Sequence, residues 1–236
     1  MKEVIIVGGG ASVKDGIALD LWKKIEGKNI WSLNYAFMTM PYLPSRQVWV
    51  DISFFKNNQD MLQNLWKQGV EMVAKKHRQY ADLWEIQTYE QTRLKTGYKG
   101  KDAFRGVEQP HIFLGRMGMC GTFALSLAVA EGYDMIYLLG YDFGTPDFGD
   151  KNTHYYQDQV KVRSTGVGNI NVYRGGDKSN KSNVKTDIQD YDVFMPSLDS
   201  GEEIINESLR SHLYQFPKIS YEQFFERLNE DNHSGQ

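Results

Sequence analysis

The sequence predicts an α/β fold with a doubly wound, mainly parallel sheet, a polar lid-like segment and a C-terminal helix. Three observations carry this expectation. Short apolar runs such as Val4-Ile5-Ile6-Val7 and Met135 to Leu139 read as strands covered on both faces. Stretches with helical spacing alternate with them, as in a parallel sheet with crossover helices. A glycine-rich turn, Gly8-Gly9-Gly10-Ala11-Ser12, follows the first run and opens the first helical pattern. Together they give a Rossmann-like order of strand, turn and helix.

Taken in order, Val4 to Val7 is the first strand and the glycines end it. Ser12 is expected as an N-cap with Asp15 in the first turn, and Ile17, Ala18, Leu21, Trp22 and Ile25 recur as the apolar face of one helix. Asn29 to Leu33 reads as a second strand, and Gln47 to Val50 as a third that ends at Asp51. A helix is expected from about residue 59 to 75, with Met61, Leu62, Leu65, Val70 and Val73 buried. Residues 76–109 mix aromatic and charged residues without a clean period. Gly121 to Glu131 is an Ala- and Leu-rich helix closed by Gly132, and Met135 to Leu139 is a strand ending at Gly140-Tyr141-Asp142. Residues 145–190 are polar, with clusters such as Gly175-Gly176-Asp177-Lys178, and read as either disordered or a lid over a site. Ile204 and Ile205 form a late strand, Ile219 to Leu228 a terminal helix, and Asp231 to Gln236 a frayed tail.

Composition bounds the function. The chain of 236 residues suits one domain spanning 1–236, with 145–190 as an insertion. Hydrophobic residues at 41% and charged residues at 24% are those of a folded globular chain. A net charge of -3 argues against a protein that grips duplex nucleic acid by charge alone. Cys120 is the single cysteine, cannot form an internal disulfide and reads as a small core residue. The first apolar run is too short for a signal peptide, and no stretch reaches the roughly 18 apolar residues of a membrane span. A soluble, cytoplasmic protein is the expectation.

A glycine-rich turn between a buried strand and a helix lets backbone amides approach an anion, so the first turn is expected to take a phosphate or carboxylate. The alternative is that Gly8, Gly9 and Gly10 only make a tight turn. The turn lacks Gly-Lys-Ser/Thr and so is not a P-loop. Val13 stands where a dinucleotide fingerprint wants its third glycine, and Asn34 stands where an NAD site offers Asp or Glu, so a dehydrogenase is disfavoured. Ligands of open parallel sheets bind at the carboxyl edge, which singles out Asn34, Asp51 and Asp142. Asn34 can read a base or sugar, Asp51 can bind a hydroxyl or a metal, and Asp142 can also cap the following turn. Asp142-Phe143-Gly144 matches a kinase triplet, but no other kinase element accompanies it. His154, in the polar segment, is a candidate proton-transfer group. No His or Cys stands at the spacing of a zinc site, so no structural metal is expected.

The ordered landmarks Gly8 to Ser12, Ser32-Leu33-Asn34, Val48 to Asp51, Gly121 to Tyr133, Ile136 to Phe143 and Thr153-His154-Tyr155 resemble one superfamily. It joins the 6-hydroxymethylpterin diphosphokinase MptE-like proteins to the bacterial lipooligosaccharide sialyltransferases. The resemblance runs from about residue 3 to 156, with a weaker echo at 206–217. It implies a transferase that uses a nucleotide-activated sugar, with Gly8, Gly10, Ser12 and Asn34 at the nucleotide and His154 in catalysis; beside these, Gly9, Gly121, Thr122 and Asp142 are candidates for the nucleotide and Asp51 for catalysis. The sequence departs from the pattern at Ala11, where proline is usual, and at Asp51, where the sialyltransferases carry asparagine. An acid at 51 is closer to the diphosphokinase branch, in which Asp51, with Asp142 as an optional second ligand, would hold Mg while ATP delivers a diphosphate group. Nothing requires a cofactor in the sugar-transfer reading. Small relatives of this kind occur in phage genomes, so a glycan or a modified DNA base is an acceptor to consider, and a homo-oligomer is compatible with the sequence. A third reading is a protein that sequesters a nucleotide without turning it over.

Overall fold

The computed structural model describes residues 1–80, 84–89, 91–92, 112–113, 120–142, 155–156, 203–206, 213 and 216–233. Seven strands form one all-parallel sheet: β1 (Glu3–Val7), β2 (Ile30–Leu33), β3 (Arg46–Trp49), β4 (Glu71–Lys75), β5 (Ile86–Tyr89), and, after a small parallel pair β6 (Gln91–Thr92) and β7 (Ile112–Phe113), β8 (Met135–Leu139) and β9 (Glu203–Asn206). The order is β5-β4-β3-β2-β1-β8-β9. The chain therefore winds outward from β1 on one side and returns to the other side of β1 with β8. The fold class expected from the sequence is the one observed.

Alternation along each strand sends side chains to two faces. Val4, Ile6, Trp31, Leu33, Val48, Ile136 and Leu138 pack under α4 (Cys120–Ala130), a helix buried on nearly all sides. Ile5, Val7, Ile30, Tyr137 and Leu139 face the other way, against α1 (Val13–Ile17), α2 (Leu21–Lys24) and α5 (Tyr221–His233). Trp49, Met72 and Ala74 pack on the same side under α3 (Ile52–Lys67). At the amino edge the buried Arg46 guanidinium lies over Trp31 and is held by Glu71 at 2.6 Å and Glu131 at 2.8 Å. Two carboxylates and a ring are what a buried guanidinium requires.

Three expectations change. The helix expected after the first turn is two short helices, because Asp20 adopts a left-handed conformation (φ 61°) and starts a new one. The helix expected over 59–75 runs from Ile52 to Lys67, and Val70 and Val73 belong to the turn and strand that follow, with Gly69 (φ 91°) making the reversal. The apolar spacing fitted both periods there, and the glycine decides between them. The terminal helix continues to His233, past the expected tail boundary. Gly132 does end α4 with a left-handed φ of 70°. Among the described residues no helix is long and apolar enough to cross a membrane. The polar stretch 145–190 falls outside the described residues, apart from Tyr155 and Tyr156.

Candidate functional site

The winding reverses at β1, so the crevice at the carboxyl ends of β1 and β8 is the topological switch point, where open α/β sheets bind their ligands. The loops leaving these two strands approach so closely that only glycine fits. A Cβ on Gly8 would stand 2.9 Å from the Gly140 carbonyl oxygen, and one on Gly10 would stand 2.6 Å from the same oxygen and from Asp142 Oδ2. The Gly8 amide donates to Leu139 O (2.7 Å) and the Gly10 amide to Gly140 O (2.9 Å). The first turn thus has a structural reason for its glycines, and the amides of Gly8, Gly10 and Ser12 have partners within the chain.

Ser12 does not cap α1 with its side chain. Its amide donates to Asp142 Oδ2 (2.7 Å) and its hydroxyl to Asp142 Oδ1. The two residues were separate candidates in the sequence; the fold joins them, and Asp142 brings a carboxylate into the first turn from β8. Gly9 contributes its carbonyl, which accepts the Tyr155 amide at 3.0 Å. Tyr155 and Tyr156 are buried beneath this edge: the Tyr155 hydroxyl contacts Thr39 Oγ1 (2.9 Å) and Ala36 O (3.1 Å), and the Tyr156 ring packs on Tyr35. Burial pushes both phenols well above the ordinary tyrosine range, so they stay protonated. His154 itself lies outside the described residues.

Asn34 follows β2 and takes a left-handed conformation (φ 50°), which asparagine tolerates better than most residues. Its amide donates to Val48 O (3.1 Å), and its carbonyl accepts Gln47 Nε2 (2.8 Å). Its side-chain Oδ1 is buried and has no hydrogen-bond partner among the described residues. The next residue, Tyr35, receives Asn58 Nδ2 at 3.0 Å from the point where α3 departs from helical geometry. On the opposite face α4 begins at the ends of β2 and β3, where Cys120 Sγ donates to Val48 O (3.4 Å). Gly121 receives the Tyr141 hydroxyl on its carbonyl (3.1 Å), and Thr122 is buried beside it in the first turn of α4. Burial pushes the Cys120 thiol far up, with the charge of Asp51 adding to the effect.

Asp51 is the N-cap residue of α3 and makes no capping hydrogen bond. The residue is exposed, yet desolvation of its carboxyl by the surrounding protein raises its pKa, opposed by Lys75. Among the described residues no group of three or more His, Cys, Asp and Glu is placed to hold a metal ion. Asp51 and Asp142 do not form a pair: β3 and β8 are separated by β2 and β1, which at about 4.8 Å per strand puts their ends roughly 14 Å apart. Sequence reasoning missed Gln47, Gly140 and the Tyr155-Tyr156 anchor. Gln47 had a signal, a lone neutral polar residue before the apolar pair Val48-Trp49, and Gly140 had another in its position directly after a buried strand.

No family model and no curated protein matches the chain. Solved structures do share its fold. The MAf glycosyltransferase from Magnetospirillum magneticum AMB-1 superposes with a TM-score of 0.54 at 14% identity, over 94% of this chain and 34% of that one. The sialyltransferase CstII from Campylobacter jejuni, solved with the substrate analogue CMP-3FNeuAc, gives 0.52 at 14% identity, over 93% and 86%. This chain spans about a third of the first protein and most of the second. The likeness is one of fold.

Proposed function

We propose that the chain is a glycosyltransferase that binds a nucleotide-activated sugar at the carboxyl edge of β1, β2 and β8. The observation that carries this reading is the buried Oδ1 of Asn34, beside the switch point and without a hydrogen-bond partner among the described residues. A buried acceptor without a donor costs on the order of 1–3 kcal/mol, and a base or sugar donor would relieve that cost. The fold shared with two glycosyltransferases, one of them solved with a CMP-sugar analogue, supports the class of ligand. Asp142 makes the first turn a poor place for a second anion. We therefore assign the donor phosphate to the N-terminus of α4 at Gly121 and Thr122, where the first amides of an 11-residue helix have no partner within the helix and suit an anion. Gly8 to Ser12 then line the crevice, and Asp51 accepts a sugar hydroxyl from the far side.

In the reaction the acceptor hydroxyl oxygen attacks the anomeric carbon, the bond from that carbon to the phosphate oxygen breaks, and the nucleotide leaves with the electron pair. His154 takes the proton of the hydroxyl. Its support is its covalent bond to Tyr155, whose amide is held by Gly9. In its two-ligand form the diphosphokinase alternative asks Asp51 and Asp142 to share magnesium, which draws oxygen ligands to about 2.1 Å. Their separation and the engagement of Asp142 with Ser12 do not fit that role.

The test is a calorimetric screen of CMP-, UDP- and GDP-sugars against their free nucleotides, followed by turnover with the bound donor. One nucleotide sugar is expected to bind, to bind at least about tenfold more weakly to Asn34→Gly, and to be turned over at least about a hundredfold more slowly by His154→Ala with nearly unchanged donor affinity. Absence of binding by every nucleotide and nucleotide sugar overturns the reading. Binding without turnover in the presence of glycan and nucleic-acid acceptors would leave the sequestering protein in its place.

A further inference from the structure

We propose that Gln47 is a positioning residue, a clamp built into β3 that holds Asn34 in its left-handed conformation and so presents the Asn34 side chain to the ligand. This rests on the nucleotide-site reading for its purpose, but the clamp itself stands on geometry. Gln47 is fully buried in the sheet, where a neutral amide side chain is rare without a specific partner. Its Nε2 donates across the strand gap to the Asn34 carbonyl (2.8 Å), while Val48, the next residue, accepts the Asn34 amide (3.1 Å). Successive β3 residues thus grip both backbone groups of one residue. Val48 holds Asn34 through its backbone carbonyl in the plane of the sheet, Gln47 reaches it with its side chain, and Cys120 of α4 also donates to Val48 O.

The arrangement carries a cost that a purely structural role does not explain. Gln47 Oε1 is buried with no partner among the described residues, as is the hydroxyl of Ser32, which pairs with Gln47 in register. An apolar residue at 47 would remove one of these orphaned acceptors, so the strand itself gains little from glutamine. What glutamine adds is the hydrogen bond to Asn34. Without it, Asn34 would relax toward the β or right-handed region, and its Oδ1 would leave the position at the switch-point crevice.

Gln47→Met keeps the length of the side chain and removes both amide atoms, so it is the variant to test, with Ser32→Ala as a neighbouring control. Solution NMR reads the backbone conformation of Asn34 through its coupling constants and carbon shifts, independently of any ligand. A coupling through the hydrogen bond from Gln47 Nε2 to the Asn34 carbonyl carbon, measured in the wild-type protein, reads the clamp directly and serves where Gln47→Met does not fold. We expect that coupling to be present, Asn34 to lose its left-handed signature in Gln47→Met but not in Ser32→Ala, and nucleotide affinity to fall about five- to tenfold. In an Asn34→Gly background, Gln47→Met should have no further effect on affinity. An unchanged Asn34 conformation in folded Gln47→Met, or a missing coupling in the wild type, overturns the clamp whatever the protein binds. A changed conformation with unchanged affinity overturns its role at the site. If the wild-type protein binds no nucleotide, the site reading fails, while the conformational measurements still decide the clamp.

Discussion

Asp51 is the residue whose chemistry the fold perturbs at the carboxyl edge. Although the residue is exposed, desolvation by the surrounding protein raises its carboxyl pKa above that of the unfolded chain, and Lys75 offsets this only in part. The sign follows from linkage: a group that holds its proton more tightly when folded favours folding at low pH, and that contribution is lost as pH rises through the folded pKa. Asparagine caps a helix about as well as aspartate, so Asp51→Asn removes the charge and leaves the start of α3 intact. We expect Asp51→Asn to raise Tm at pH 7, with the difference shrinking toward zero as pH falls to about 3, where the carboxyl is neutral in both states. A residue that weakens the fold at working pH is the kind retained for function. A lower Tm for the variant at pH 7 would mean that the carboxylate has a favourable partner in the fold and would return Asp51 to a structural role.

At the scale of elements, the junction of β1 and β8 is set by backbone packing before any ligand is considered. Gly8, Gly10 and Gly140 form its contacts, and a Cβ on Gly140 would also stand 2.8 Å from Val13 Cγ2 in a residue already at φ 70°. Gly140→Ala and Gly10→Val should each destabilise the fold by roughly 1–3 kcal/mol, the range for forcing extra atoms into a packed site, measurable by urea unfolding. Neither variant is a clean probe of binding. Wild-type stability in both would show that the two loops separate readily and that the glycines serve something other than packing. This junction also marks what the sequence could reveal. Val4 to Val7 and Met135 to Leu139 were legible as strands because each is a short continuous apolar run ended by glycine, and their ends located the carboxyl edge. The bond between Ser12 and Asp142 was not legible, because 130 residues separate the partners and only the sheet order brings them together. Ser12 looked like an N-cap for the same reason: local patterns register the turn, and its hydroxyl found a stronger acceptor from far along the chain. The helix expected over 59–75 failed differently, since Val70 and Val73 fit a helical face and a buried strand alike, and position in the sheet decided.

The whole molecule has two edges with different characters, and a ligand must choose between them. At the amino edge, charges are already paired: Arg46 with Glu71 and Glu131, and the Lys2 amide with Asp134 at 2.6 Å. At the carboxyl edge a buried acceptor has no partner among the described residues, a carboxyl is desolvated, and the loops after β1, β2 and β8 converge. A further concavity, of about 430 Å³, lies between α1, α2 and the loop after β2, lined by Ile17, Asp20, Trp22, Glu26, Pro41 and Tyr42. Hydrogen exchange of backbone amides separates these three locations, because a bound ligand suppresses the local openings through which amides exchange. With a saturating nucleotide sugar, exchange should slow in the segments 8–12, 33–39 and 120–122, and in 140–142, while 45–46 and 131–134 at the amino edge and 20–26 along the concavity remain unchanged. The protection at 33–39 should be the largest, since Asn34 would gain a donor and its neighbours up to Thr39 rest on Tyr155 and Tyr156. Protection centred on 20–26 and 41–42 would place the ligand in the concavity and leave Asn34 as an internal turn. Protection spread evenly over both edges would signal global stabilisation alone, and in that event Asn34→Gly should leave the affinity unchanged, which is the opposite of what the carboxyl-edge site requires.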